Sequence, residues 1–100
     1  MNDIDIISGT ESAYIKEVPR KKMPVYTGVM KYFPNAIKYV SMVSQAGNDQ
    51  HHPDKPLHWD KEKSFDHTDA LARHLLDHSY EPIAWRALAA LEIYLENKKQ

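Results

Sequence analysis

Asp66, Asp69, Arg73, His74, Asp77 and His78 bring ionisable side chains into one short stretch at helical spacing. Residues three or four apart share a helix face, so Asp66, Asp69, Arg73 and Asp77 stack along one side, with His74 and His78 on the next. Carboxylates, a guanidinium and imidazoles so arranged can hold a metal, hydrogen-bond a base or clamp a phosphate. Arg73 offers the planar fork that suits phosphate or carboxylate best. The plainer alternative is a solvated face in which Arg73 pairs with Asp66, Asp69 or Asp77. For His74 it is a half-buried imidazole satisfied by a hydrogen bond.

Just upstream lies a polar run from Gly47 to Asp60 that contains His51, His52 and His58, Trp59, Pro53 and Pro56, and Asp49, Asp54 and Asp60. A loop this long in so small a chain is more than a connection, because such loops are usually functional or disordered. Trp59 can stack on a purine, an interaction worth about 1 to 3 kcal/mol per base, or it can pin the loop onto the helices. Lys55 and Lys61 lie within reach of phosphate, and His58 and Asp69 can read polar edges. The three loop histidines with one aspartate could form a zinc site, but their spacing matches no standard zinc signature. No nucleophilic-serine elbow, glycine-rich phosphate loop or dinucleotide fingerprint is present.

Helices must position these groups. A short helical turn from Val25 to Phe33 is broken by Pro34, which then stands as the first residue of a new helix. In that helix Ile37, Val40 and Val43 share a face, and Gly47 is the expected stop. A second helix opens near Ser64, the expected cap, and should bury Leu71, Ala72, Leu75 and Leu76. A hinge from Asp77 to Pro82 leads into the last helix. There Ile83, Ala84, Ala87, Leu88, Leu91 and Leu95 form the apolar stripe, with Trp85 and Arg86 on its flank. The expectation is an all-α protein: a small bundle of three main helices with a long polar loop between the first and second. The last two should form an antiparallel hairpin against which the first packs.

Composition agrees. One hundred residues, 42% hydrophobic and 27% charged, fit one small domain, read as an N-terminal arm over residues 1–22 and a single helical domain over 23–100. A formal charge of −1 gives no pull toward duplex DNA. The lack of cysteine removes disulfides and thiolate chemistry and fits a cytoplasmic setting. The acidic start, Met1 to Ser8, reads as neither secretory signal nor membrane span. A chain this short buries a modest core, so a homo-oligomer that covers an apolar helix face is expected.

The strings Lys31-Tyr32-Phe33-Pro34, Gly47-Asn48-Asp49, Lys55-Pro56-Leu57-His58-Trp59-Asp60, Lys63-Ser64, Asp69-Ala70-Leu71, Arg73-His74-Leu75 and Ala84-Trp85-Arg86-Ala87-Leu88 together carry a resemblance. Between Val25 and Glu96 the chain resembles small phage-encoded proteins described as the dATP/dGTP diphosphohydrolase N-terminal domain, akin to all-α nucleoside-triphosphate pyrophosphatases of the MazG type. The resemblance implies a helical nucleotide-handling protein from a virus or prophage, with Trp59, Asp69, Arg73 and His74 at the family's marked positions. MazG-type enzymes hold magnesium with acidic residues from two facing helices, whereas the segment from Pro34 to Gln45 has no Asp or Glu. The hinge between His78 and Ala84 is also shorter than the family's, which commonly carries an Asp-Gly segment and a histidine.

The leading expectation is therefore a phage-type oligomer that binds a purine nucleotide, or a cyclic or modified nucleotide signal, and withdraws it from a host defence pathway. Trp59, Arg73, His74, Asp69, His58, Lys55 and Lys61 are its expected contacts, and no residue is assigned as catalytic. The enzyme alternative is a magnesium-dependent diphosphohydrolase acting on dATP or dGTP. Its cation would need Asp49, Asp54, Asp60 or another subunit to complement Asp66, Asp69 and Asp77. A third reading is a helical protein–protein interaction module.

Overall fold

The structure, a computed structural model, describes residues 18–63 and 65–98. Those residues are helical and contain no strand. No helix among them is long and apolar enough to cross a membrane. The chain divides into two compact units, residues 1–34 and 35–100.

In the first unit a single 3-10 turn spans Arg20–Lys22, closed by the Lys22 N–H on the Pro19 carbonyl at 2.8 Å, and all three basic side chains are exposed. A wide π-type turn follows at Tyr26–Met30, where the Lys31 N–H reaches the Tyr26 carbonyl at 2.8 Å. Gly28 permits the close approach of the Pro24 ring, because a Cβ there would lie 3.3 Å from Pro24 Cγ. Most of the expected arm, residues 1–17, lies outside the described residues.

Helix α1 runs Pro34–His51, α2 His67–Leu76 and α3 Tyr80–Lys98. Pro34 begins α1 as expected, its missing N–H costing nothing in the first turn. Gly47 does not end it. The helix continues for another turn, since Gly47 keeps a negative φ and the residues after it remain hydrogen-bonded, His52 N–H to Asn48 carbonyl at 2.7 Å. The left-handed residue that turns the chain is Asp54, at φ 65. Nothing lies within 4 Å of a Cβ built on Gly47. Gly47→Ala is accordingly expected to raise the unfolding free energy by roughly 0.5–1 kcal/mol, the usual gain in a helix interior, readable as a higher urea midpoint.

Ser64, the expected cap of α2, lies outside the described residues. Asp66 occupies the N-cap position without making a side-chain cap, because its carboxylate turns to Arg73 at 3.0 Å. The α2–α3 hairpin forms as expected. Its turn satisfies the last carbonyls of α2, with His78 left-handed at φ 57, its N–H on Leu75, and the Ser79 N–H on His74.

The buried side of α2 differs from expectation. His67 and Ala70 are buried and Leu71 and His74 half-buried, whereas Ala72, Leu75 and Leu76 are exposed, Leu76 at 82%. On α3 the inward side comprises Trp85, Arg86 and Ala89, while Ala87, Leu88 and Leu91 face out. A leucine-based period misplaces both helices because α3 is apolar on two sides, and the side that wins carries aromatic rings that interlock. Ala70 and Ala89 are the only buried apolar residues among those described, and these small side chains let α2 and α3 approach closely. Helix α1 meets the hairpin at few points, the firmest being a 2.7 Å hydrogen bond from the Trp85 indole N–H to the Ser44 hydroxyl.

Candidate functional site: a cleft of histidines and tryptophans

The connection from α1 to α2 is tied down by one buried side chain. Asn48, 4% exposed, donates its Nδ2 to the Lys55 carbonyl at 2.9 Å and accepts the His58 N–H on Oδ1 at 3.2 Å. Its place on the inward face of α1, one turn after Ser44, makes it a clamp across the loop. The clamp sets the path of the chain into Trp59.

Trp59 folds back over the hairpin. Its ring meets Trp85 edge-on at 5.5 Å between centroids and 74°, and meets His67 at 6.3 Å and 66°. His67 and Trp85 close the triangle at 6.1 Å. Edge-to-face contacts of this kind match the positive rim of one ring to the negative face of another. Lys61 lies over the Trp59 ring at 5.1 Å and is held by Glu96 of α3 at 2.6 Å. That hydrogen bond raises the Lys61 pKa, against the opposing effect of desolvation and helped by the charges of Glu96 and Glu92.

Around this triangle opens a cleft of about 920 Å³, lined by α1, the loop, the His67 and His74 side of α2 and the first two turns of α3. Its polar content is mainly basic: Arg86, Lys63 and five imidazoles, those of His51, His52, His58, His67 and His74. Asp60 is the sole carboxylate among the described lining residues, and Lys63 pairs with it at 3.3 Å.

His67 is the unusual member. It is 5% exposed, and its Nδ1 lies 2.9 Å from Arg86 Nη1. A guanidinium can only donate, so Nδ1 is the acceptor and the ring proton of the neutral imidazole sits on Nε2. That buried Nε2 has no hydrogen-bond partner among the described residues. Burial first, and the Arg86 charge second, push the His67 pKa down, with Asp66 opposing. Folding therefore rejects a proton that the unfolded chain accepts near pH 6.5. The stability contributed by neutral His67 is complete above about pH 6.5 and declines as the pH falls toward the lower folded-state value. The melting temperature should drop between about pH 7.5 and about pH 5.5, and His67→Gln should make that drop smaller; an unchanged slope would contradict it.

Of the residues singled out in the sequence, Trp59, His58 and His74 line the cleft. Lys55 lines a smaller neighbouring hollow with His52 and His58. Lys61 is engaged by Glu96 above Trp59, and Asp69 and Arg73 stand on the exposed face of α2, outside the cleft lining. Arg73 makes the plainer of its two alternatives there, a pair with Asp66 at 3.0 Å. Arg73→Ala is now expected to leave ligand affinity within about twofold and the fold nearly unaltered, since exposed pairs contribute at most about 1 kcal/mol. Calorimetric titration of both proteins with one nucleotide checks this. Among the described residues no three His, Asp or Glu side chains converge on a point where a metal could sit.

His67, Trp85, Arg86 and Asn48 escaped the sequence reading as site residues. A signal for three of them existed, because residues 82, 85, 86 and 89 form one face of α3 and residues 67, 70 and 74 one face of α2. Compared with known proteins, the chain matches no family model, no curated protein and no solved structure.

Proposed function

We propose that the cleft binds a purine nucleotide, or a signalling molecule derived from one, and holds it without hydrolysing it. The observation that carries this reading is the buried His67 Nε2–H, which has no acceptor among the described residues, beside two tryptophans and an arginine in an open cleft. A buried donor left unsatisfied costs about 1–3 kcal/mol, and a ligand oxygen or ring nitrogen would remove that cost. Trp59 and Trp85 supply aromatic surface for a base, while Arg86, Lys63 and the imidazoles favour an anionic ligand. The volume lies within the range common for small-molecule sites.

Binding is favoured over hydrolysis by the character of the lining. Magnesium-assisted phosphoryl chemistry draws on converging carboxylates, and the one carboxylate among the described lining residues, Asp60, already faces Lys63. On this reading the resemblance to phage diphosphohydrolase-like proteins extends to nucleotide recognition, and the biological role is withdrawal of a nucleotide signal from a host defence pathway.

The test is incubation with dGTP, dATP and magnesium, followed by denaturation and chromatography. Intact nucleotide recovered in proportion to protein, with no pyrophosphate released, is the expected result. Continuous pyrophosphate release would establish the diphosphohydrolase instead. If no purine nucleotide, cyclic ones included, raises the melting temperature, the reading is wrong and an interaction module takes its place.

A further inference from the structure

Helix α3 is apolar on two opposite sides. One carries Trp85 and Ala89 and faces α2 and the cleft; the other carries Ala84, Leu88, Leu91 and Leu95. Leu88 and Leu91 are 58% and 46% exposed, and Ala84 and Leu95 are half-buried. A helix hydrophobic all round is normally covered all round. The outer stripe is spaced four, three and four residues apart, which is the repeat of a helix that packs lengthwise against another helix.

The stripe is complementary to itself when reversed. A two-fold axis midway between Leu88 and Leu91 sets Leu88 against Leu91 of the partner subunit and Ala84 against Leu95 of the partner subunit. Each small residue then faces a large one. The same register sets Glu81, in the first turn of α3, against Lys98 of the partner subunit, in the last turn. A parallel pairing would instead stack alanine on alanine and glutamate on glutamate, leaving a gap at one end and repulsion at both. We infer that the outer face of α3 is a homodimer interface, with two copies of this chain packed antiparallel through Ala84, Leu88, Leu91 and Leu95. The inference does not depend on what the cleft binds.

Shape and charge complementarity together single out a second copy over an unrelated partner. Sedimentation equilibrium at micromolar concentration should give twice the 11.6 kDa chain mass. Leu88→Glu combined with Leu91→Glu should give a monomer of unchanged helicity, because both side chains face out. Glu81→Lys alone should weaken dimerisation by about tenfold through two repulsive contacts per dimer, and adding Lys98→Glu should restore it. The chain has no cysteine, so a second measurement remains readable even if the glutamate variant fails to fold. Mixed Leu88→Cys and Leu91→Cys proteins should cross-link to each other more readily than either does to itself. A native monomer at about 100 µM, a dimer that survives the paired glutamates, or cross-linking strongest within each single-cysteine protein would overturn the inference.

Discussion

Trp85→Ala is expected to lower the unfolding free energy by about 3 kcal/mol, near the lower end of the usual cost for truncating a core aromatic because Trp85 is half-buried. Three contacts go at once: the hydrogen bond to Ser44 at 2.7 Å, the edge contact with Trp59 at 5.5 Å and the packing on His67 at 6.1 Å. The first is the firmest link between α1 and the hairpin, so its loss should uncouple α1 as well as weaken the aromatic triangle. Trp85→Phe separates the two effects. It keeps a ring beside Trp59 and forfeits the hydrogen bond, which should cost about 1 kcal/mol. Urea unfolding followed by the fluorescence of the remaining Trp59 reads both variants, and near-native stability of Trp85→Ala would contradict the arrangement. For a domain with a net stability of about 5–15 kcal/mol the larger change is readily measured.

Asn48→Ala should cost about 2 kcal/mol and weaken ligand binding by at least about tenfold. The carboxamide is buried and satisfied on both ends, and it reaches seven residues down the chain to Lys55 and ten to His58. Two hydrogen bonds are lost, partly offset by the better helix propensity of alanine, at most about 0.7 kcal/mol. Binding suffers beside stability because the clamp positions His58 and, through it, Trp59. Asn48→Asp should be at least as damaging, since a carboxylate oxygen would then face the Lys55 carbonyl where an N–H now donates. Hydrogen exchange should show the His58 amide exposed in Asn48→Ala, where its acceptor is gone. Full protection there, with native affinity, would mean that the loop holds itself.

Much of the helical framework was legible in the sequence. Pro34 at the start of α1 and Pro82 in the first turn of α3 follow from the fixed φ and absent N–H of proline. That Trp59 could pin its loop onto the helices was one of two roles the sequence allowed it, and its contacts with His67 and Trp85 lie away from the Asp69 and Arg73 flank of α2. What the sequence concealed was rotation. Helix α2 turns His67 inward and Leu76 outward because His67 finds Arg86, Trp59 and Trp85, and that partnership links positions 19 residues apart. The end of α1 was concealed for a similar reason. Asn48 reads as a loop residue, yet its side chain earns its place in the helix through bonds to residues well down the chain. The exposed Asp66–Arg73 pair shows the converse: helical spacing brought charges together, and they satisfied each other.

The measurement that bears most directly on the cleft is nitrogen-resolved NMR of the His67 imidazole and the two indoles during titration with dGTP. A neutral ring protonated at Nε2 should be seen in the free protein. On addition of nucleotide, the His67 Nε2–H, Trp59 and Trp85 signals should shift together along one saturating curve, while Arg73 on the outer face of α2 stays still. Signals from His67 and both tryptophans that remain fixed while nucleotide binds elsewhere, or while none binds, would contradict the account.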